Sequence, residues 1–423
     1  MNETIYALSS GAPPAAIGVI RISGPRAGEA LAQLCDTMPP PRSPRLRQLR
    51  DGDGEMLDRA LVLWFPGPAT ATGEDLAELH CHGGRAVVAA ILAALGAIEG
   101  LREAEPGEFT RRAFANGRID LAEAEGLADL LSAETELQRR GAMMAAGGEL
   151  SRRIEGWRDR LLGFAAAIEA VIDFADEDDV ASLPADFGNE LGALAGDIHR
   201  VAERPATERL RDGIRVVLAG PPNAGKSSLF NALLADEAAI VTAEAGTTRD
   251  VLERPVAIGG IPFVLVDTAG MREEGAGAIE AIGIERARRA VQGGEIVLWL
   301  GDAADKPEGA VLVHSKADLE EPDYAADLEV SAVTGSGLDD LTNLLVERGR
   351  AALPPVDRLA FNRRQSGWAL AAATYIEAVE VTGDLLLAAE NLRSARHALD
   401  RLVGRDSTEE MLDALFGRFC IGK

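Results

Sequence analysis

The sequence predicts a multidomain chain of mixed class, α/β and all-α. An α/β unit opens it, and a helical domain follows that is cut in two by a second, inserted α/β unit. Three observations carry this reading. Short apolar runs bounded by Gly and Pro fill the region up to about residue 118. From about Ile119 to Val201, and again after Pro354-Pro355, apolar residues recur at steps of three and four. From Gly213 to about Leu353, strand-like runs alternate with helical segments, the pattern of a βαβ parallel sheet. The 423 residues suit about three domains of roughly 150 residues each. The expected boundaries are 1–118, 119–210, 211–353 and 354–423, the second and fourth being halves of one helical domain.

In chain order, Ala16–Ile22 and Ala60–Phe65 read as strands, Ala86–Ile98 as a helix, and the Pro- and Arg-rich stretch 39–50 as a loop. Ile154, Trp157, Leu161, Phe164, Ile168 and Val171 lie on one face of a long helix. Asp173 to Asp179 reads as a solvated acidic turn. The strands of the inserted unit are Ile214–Ala219, Phe263–Val266, Ile296–Leu300, Val311–His314 and Leu328–Val330. Beyond it, Leu392, Ala395, Leu399 and Leu402 share a helix face. Both helical blocks carry an unpartnered apolar stripe, so they are expected to pack together with the α/β unit inserted between them.

Composition excludes several classes. There are 43 basic and 68 acidic residues, a net charge of −25, so the chain has no general attraction for nucleic acid. No apolar run approaches the roughly 20 residues that cross a bilayer. The first residues lack the basic start of a signal peptide, and the odd number of cysteines (Cys35, Cys81, Cys420) suits a reducing compartment. A soluble, cytoplasmic protein is expected. Arginine supplies almost all the basic charge. Only four lysines occur, Lys226, Lys306, Lys316 and Lys423, and three of them fall inside motifs.

Gly220-Pro221-Pro222-Asn223-Ala224-Gly225-Lys226-Ser227 matches G-x-x-x-x-G-K-[ST], directly after a predicted strand and before a helix. In such a loop backbone N–H groups cradle phosphates, the lysine reaches the β- and γ-phosphates, and the serine binds Mg²⁺. Asp267-Thr268-Ala269-Gly270 ends a later strand, where an acid supports Mg²⁺ and a glycine amide meets the γ-phosphate. Gly246-Thr247-Thr248-Arg249-Asp250 lies between them, with Thr248 placed to complete the Mg²⁺ shell. Ser315-Lys316-Ala317-Asp318 resembles the N-K-x-D guanine element with Ser in place of Asn, a change expected to leave the base loop less braced. Ser331-Ala332 resembles the last base-contacting element. These five elements, in order, predict a P-loop GTPase domain of Ras-like class. Met271 stands where a water-orienting Gln would sit, which makes Glu280 a candidate for that task. His80-Cys81-His82 points alternately to opposite faces of an extended chain and converges poorly on a metal. The tail Cys420-Ile421-Gly422-Lys423 does not fit a prenylation box.

The whole chain resembles the MnmE (TrmE) family of tRNA-modification GTPases. The resemblance rests on Ala16 to Pro25, Gly73-Glu74-Asp75 through His82-Gly83-Gly84, Pro106-Gly107-Glu108-Phe109-Thr110 and Arg118-Ile119-Asp120-Leu121. It also rests on the P-loop with Asn223, on Gly246–Asp250, and on Cys420–Lys423. It implies an N-terminal folate-binding and dimerising α/β domain, a discontinuous helical domain and an inserted G domain. It implies a homodimer, assembled into a heterotetramer with the FAD- and NADH-dependent subunit MnmG (GidA). The complex would place a carboxymethylaminomethyl-type group on C5 of the wobble uridine (U34), using a 5-formyl- or methylene-tetrahydrofolate one-carbon donor.

By motif, the resemblance puts Arg21, Glu78, Arg118 and Lys423 in the folate site, with Cys420 beside it. It gives GTP the residues Asn223, Ala224, Gly225, Lys226, Ser227 and Ser228, the stretch Thr242 to Thr248, and Asp267, Thr268, Ala269 and Gly270. The guanine base takes Ser315, Lys316, Asp318, Ser331 and Ala332. It gives Mg²⁺ Ser227 and Thr248, gives K⁺ Asn223, Thr242, Glu244 and Thr247, and makes Glu280 the water-orienting acid. The first loop, Gly11 to Ala15, lacks the Gly-Arg that the family pattern leads one to expect. The acidic net charge implies that tRNA is contacted mainly through the partner. A regulatory GTPase switch in ribosome assembly or stress signalling is the competing class, and it has no need of a folate pocket.

Overall fold

The computed structural model describes residues 3–173, 183–236, 252–267, 289–290, 293, 295–319, 324–354, 359–380, 383–405 and 408–423. These form two compact units, residues 1–128 with 400–423, and residues 129–399.

The first unit is a six-stranded sheet with helices. Its elements are β1 (Thr4–Leu8), β2 (Ile17–Ser23), α1 (Ala27–Leu34), β3 (Arg45–Arg50), β4 (Met56–Phe65), β5 (Leu76–His82), α2 (Arg85–Gly96), β6 (Leu101–Glu103) and α3 (Glu108–Ala115). Helix α4 (Leu121–Leu131) runs on across the unit boundary. The strand order is β3-β4-β5-β2-β1-β6, antiparallel except for the parallel pair β1–β6. Alternation sets the faces. Ile20, Ile22, Val62 and Leu79 are buried in one core with Leu31 of α1 and Ile91 and Leu95 of α2. The intervening Arg21, Glu78 and His80 stay only partly buried.

The stretch read as a loop, residues 39–50, is a strand over Arg45–Arg50. It lies at the sheet edge and buries only Leu49, so its arginines mask the periodicity and blunt the open edge. Strands β1, β5 and β6 had no counterpart in the sequence reading.

The second unit begins with helices α5 (Glu136–Ala146), α6 (Glu149–Asp173), α7 (Phe187–Ala202) and α8 (Glu208–Asp212). Helix α5 opens on a capping box in which Thr135 and Gln138 satisfy each other's backbone N–H. The inserted sheet and its helices follow: β7 (Ile214–Ala219), α9 (Lys226–Asp236), β8 (Leu252–Ile258), β9 (Ile261–Asp267), β10 (Ile296–Trp299), β11 (Val311–Ser315), β12 (Leu328–Val330) and α10 (Leu338–Ala352). The order is β12-β11-β10-β7-β9-β8, parallel throughout except that β8 runs against β9. Strand β7 therefore lies between β9 and β10, and the loop after it opens at the carboxyl edge where α/β sheets bind ligands.

Helix α11 (Arg363–Glu377) packs along α7, while the Trp157 ring of α6 meets Phe361 edge-on at 6.2 Å. The apolar stripes before and after the sheet thus meet each other. The stripe of α12 (Leu385–Leu402), with Leu392, Ala395, Leu399 and Leu402, is buried. The last helix, α13 (Glu409–Phe416), belongs to the first unit, where Leu412 and Phe416 share a core with Leu121 and Ala124. Among the described residues no helix is long and apolar enough to cross a membrane.

Candidate functional site

Each unit carries one constellation of polar groups around special backbone. In the second unit it is the loop between β7 and α9. Gly220, Asn223 and Gly225 all have positive φ (143°, 64° and 84°), which turns successive N–H groups inward. A Cβ at Gly220 would come within 2.8 Å of the Leu300 carbonyl, so glycine is required there. Lys226 is 7% exposed, and its Nζ donates to the carbonyls of Gly220 (2.9 Å) and Pro221 (2.7 Å). Burial pulls its pKa below the usual lysine range, opposed in part by Asp267. An ammonium whose hydrogen bonds among the described residues go to two neutral carbonyls has much to gain from a phosphate.

Ser227 Oγ donates to Asp267 Oδ2 at 2.8 Å. A hydroxyl and a carboxylate converging at a helix N-terminus beside a phosphate loop form a hard-oxygen donor set that fits Mg²⁺. Ala224 is half-buried, and Ser228 is exposed at the start of α9.

The base loops latch onto this cradle. Ser315 Oγ donates to the Ala224 carbonyl at 2.6 Å, and Lys316 Nζ donates to the Asn223 carbonyl at 2.8 Å. The hydroxyl thus supplies a brace, where the loss of the amide was expected to leave the loop less braced. Fully buried Ser331 donates to Asp318 Oδ1 at 2.6 Å and accepts the N–H of Thr334 (3.1 Å), while Asp318 itself stays exposed. Ala332 follows, half-buried.

In the first unit, Arg21 on β2 faces Glu78 on β5 in register. The guanidinium donates to Glu78 Oε1 from Nη2 at 2.8 Å and from Nε at 3.1 Å, and His80 Nε2 lies 3.3 Å from Oε2. Burial pushes the Glu78 carboxyl up, but the Arg21 hydrogen bond and charge, with His80, outweigh it and hold it below the usual range. Arg21 also sits over the Phe109 ring, 5.8 Å from its centroid.

The tail closes on the same helix. Ile421 bridges to Pro106, the Gly107 N–H donates to the Cys420 carbonyl (3.5 Å), and the Phe109 N–H to the Lys423 carbonyl (3.2 Å). Gly422 is buried at φ 92°, where a Cβ would collide with the Leu8 carbonyl. Lys423 is half-buried and Cys420 exposed. Arg21, Glu78 and Lys423 are therefore gathered around the start of α3. Arg118 lies beyond the end of α3, exposed, with its stem beside Gly73. Among the described residues no hydrogen bond or ion pair joins it to the others.

Comparison with known proteins decides the family. Residues 4–118 match the model described as the GTP-binding protein TrmE N-terminus, and residues 121–420 match the MnmE helical domain. The tRNA modification GTPase MnmE of Erythrobacter litoralis is 59% identical over 423 residues, covering all of both chains. The chain belongs to the MnmE family of tRNA modification GTPases. The MnmE of Novosphingobium aromaticivorans is 55% identical over 437 residues, again covering all of both chains. That of Rhizorhabdus wittichii is 58% identical over 426 residues, covering all of this chain and 97% of the other.

Of the residues assigned by resemblance to the MnmE family, Thr242, Glu244, Thr247, Thr248, Thr268, Ala269, Gly270 and Glu280 lie outside the described residues. Sequence reasoning missed one contributor, Phe109, whose ring lies under Arg21 and whose N–H holds the tail. The signal available was Pro106-Gly107 directly before it, a helix start with a left-handed glycine at φ 71°.

Proposed function

We propose that this MnmE-family chain is the GTP-hydrolysing subunit of a complex that modifies C5 of the tRNA wobble uridine (U34). The product is a carboxymethylaminomethyl-type uridine, and the one-carbon unit comes from 5-formyl- or methylene-tetrahydrofolate. The observation that carries this reading is the seated tail. Cys420 to Lys423 lie against α3 beside the Arg21–Glu78 pair, a cluster with charged groups of both signs that a nucleotide switch has no use for.

In the first unit, Arg21, Glu78, Arg118 and Lys423 would hold the folate, with Cys420 next to it; bound there, the folate supplies an activated one-carbon unit. Arg21 is oriented by Glu78 and by the Phe109 ring, and Lys423 by the Phe109 N–H. In the second unit, Lys226 exchanges two carbonyls for the β- and γ-phosphates, and Ser227 and Thr248 ligate Mg²⁺ with Asp267 behind them. Asp318 accepts two guanine hydrogen bonds. Asn223, Thr242, Glu244 and Thr247 would hold K⁺, which would supply the positive charge that trans-acting arginines bring to other GTPases. Glu280 orients the attacking water.

The chain acts in the cytoplasm as a homodimer with the divisions 1–118, 119–210, 211–353 and 354–423. It works in a heterotetramer with the FAD-dependent subunit MnmG, which supplies most of the tRNA contact. The test is mass spectrometry of wobble uridine in tRNA from a deletion strain. The intact chain should restore the modification, while a chain lacking Ile421 to Lys423 should not, although it hydrolyses GTP. Full modification by the tail-less chain would overturn the reading.

A further inference from the structure

The first unit holds a buried charge network outside the residues assigned above. Glu108, the first residue of α3, is 7% exposed. Its carboxylate accepts from Arg102 Nη1 (2.8 Å) and Nη2 (2.7 Å), from Arg112 Nη2 (3.0 Å), and from the Glu105 N–H (2.9 Å). Arg112, with no exposed surface, passes the network on to Glu74 Oε2 (3.0 Å) and the Glu3 carbonyl (2.8 Å). Glu74 in turn accepts from Ser23 Oγ (2.9 Å) at the end of β2. Glu108, Arg112 and Glu74 in series therefore tie together the start of β1, the end of β2, strand β6, the 72–75 loop and α3.

Its position is unusual for a helix-start acid. An acid there ordinarily caps or stabilises the free N–H groups of its own first turn. Glu108 turns away instead, and α3 has no side-chain cap. Two donors at this end are met by the tail, Gly107 N–H to Cys420 and Phe109 N–H to Lys423, while the Glu108 N–H donates to the Glu105 carbonyl. The next residue after Glu108 carries the ring under Arg21.

We infer that Glu108 is a positioning residue: by fixing the first turn of α3 against Arg102 and Arg112, it sets both the seat of the C-terminal tail and the place of Arg21. Among the described residues its side-chain hydrogen bonds go to Arg102, Arg112 and the Glu105 N–H, none of them in the tail. This inference rests on the folate reading only for its second consequence; the first is independent of any ligand. Burial pushes the Glu108 carboxyl up, and the Arg102, Glu105 and Arg112 hydrogen bonds more than reverse this, so the group is anionic in its seat.

Glu108→Gln keeps the shape but removes the charge both arginines answer and turns two acceptor sites into donors. The experiment uses the full chain and reads two quantities. Hydrogen exchange by mass spectrometry follows peptides containing Phe109 and residues 418–423. Titration calorimetry follows 5-formyl-tetrahydrofolate. The expected result is exchange at least roughly tenfold faster in both peptides and weaker folate binding, with GTP hydrolysis unchanged. A merely structural role would lower the melting temperature without singling out these peptides. Should Glu108→Gln not fold, Arg102→Gln, at the exposed end of the network, is measured in the same way. Unchanged exchange at both peptides overturns the inference. A loosened tail with undiminished folate binding overturns the link to Arg21, whereas an intact chain that does not bind the folate at all overturns the folate reading and leaves the tail result standing.

Discussion

Ser315→Ala removes one hydroxyl from the guanine loop. Ser315 Oγ donates to the Ala224 carbonyl at 2.6 Å, next to the bond from Lys316 Nζ to the Asn223 carbonyl. Together the two bonds fasten the end of β11 to the phosphate loop, so the nucleotide meets base and phosphate contacts already in register. A net hydrogen bond of this kind is worth about 0.5–1.5 kcal/mol, which corresponds to roughly 2- to 13-fold weaker binding of GDP. Gly225 leaves room for this contact, since a Cβ there would come within 3.1 Å of Ser315 Oγ; Ala at 315 therefore adds no clash and isolates the bond. The assay is titration of a fluorescent GDP analogue, with stopped-flow dissociation to show that the loss lies in the off-rate. Preference for guanine over xanthine should stay the same, because Asp318 is untouched. An unchanged Kd would refute the latch, and a loss far beyond 13-fold would show collapse of the loop rather than loss of one bond.

Asp318→Asn replaces the acceptor proposed for the guanine N–H groups with an amide. Xanthine nucleotide should then bind more tightly than guanine nucleotide on titration, and an unshifted preference would remove this loop from the base site. GTP hydrolysis should be much faster in KCl than in NaCl at equal ionic strength, with Asn223→Ala erasing the difference; equal rates in the two salts would exclude a K⁺ seat at Asn223. For pH, Glu108 has its carboxyl held below the usual 4.5 in the folded chain. Its contribution is therefore fully present above pH 4.5 and is lost as pH falls through the folded value. Melting of the first unit, followed by the exchange of α3, should drop on acidification below 4.5 and flatten in Glu108→Gln.

The G unit was the legible part of the sequence. Strand Ile214–Ala219 sits at its predicted bounds because a central strand of a parallel sheet, buried on both faces, leaves a largely apolar run, and the edge strand Leu328–Val330 keeps its bounds although Glu329 interrupts it. The phosphate loop was legible because its glycines answer a backbone requirement that no other residue meets. The first unit was harder. Strand β3 hides four charged or amide side chains among its six residues, and β5 interleaves Glu78, His80 and His82 with its core positions. What the sequence could not announce was a contact between its two ends. Nothing in Pro106-Gly107-Glu108-Phe109 or in Cys420–Lys423 alone says that one supplies the carbonyls the other lacks. That partnership exists only once the sheet and α13 have brought them together.

The seated tail also fixes an order of events during biosynthesis. Strands β1 and β2 and helix α3 leave the ribosome early, but the N–H groups of Gly107 and Phe109 wait for the carbonyls of Cys420 and Lys423, which arrive roughly tens of seconds later at ordinary elongation rates. Closing so long a loop costs little more entropy than closing a short one, since the cost grows only with the logarithm of length, and folding of the intervening helices and sheet shortens it further. The seat next to Leu8 and Pro106 is therefore the last part of this unit to be filled. The phosphate loop is therefore synthesised and can fold well before the tail is seated beside Arg21, so the two constellations of one polypeptide are completed at different times.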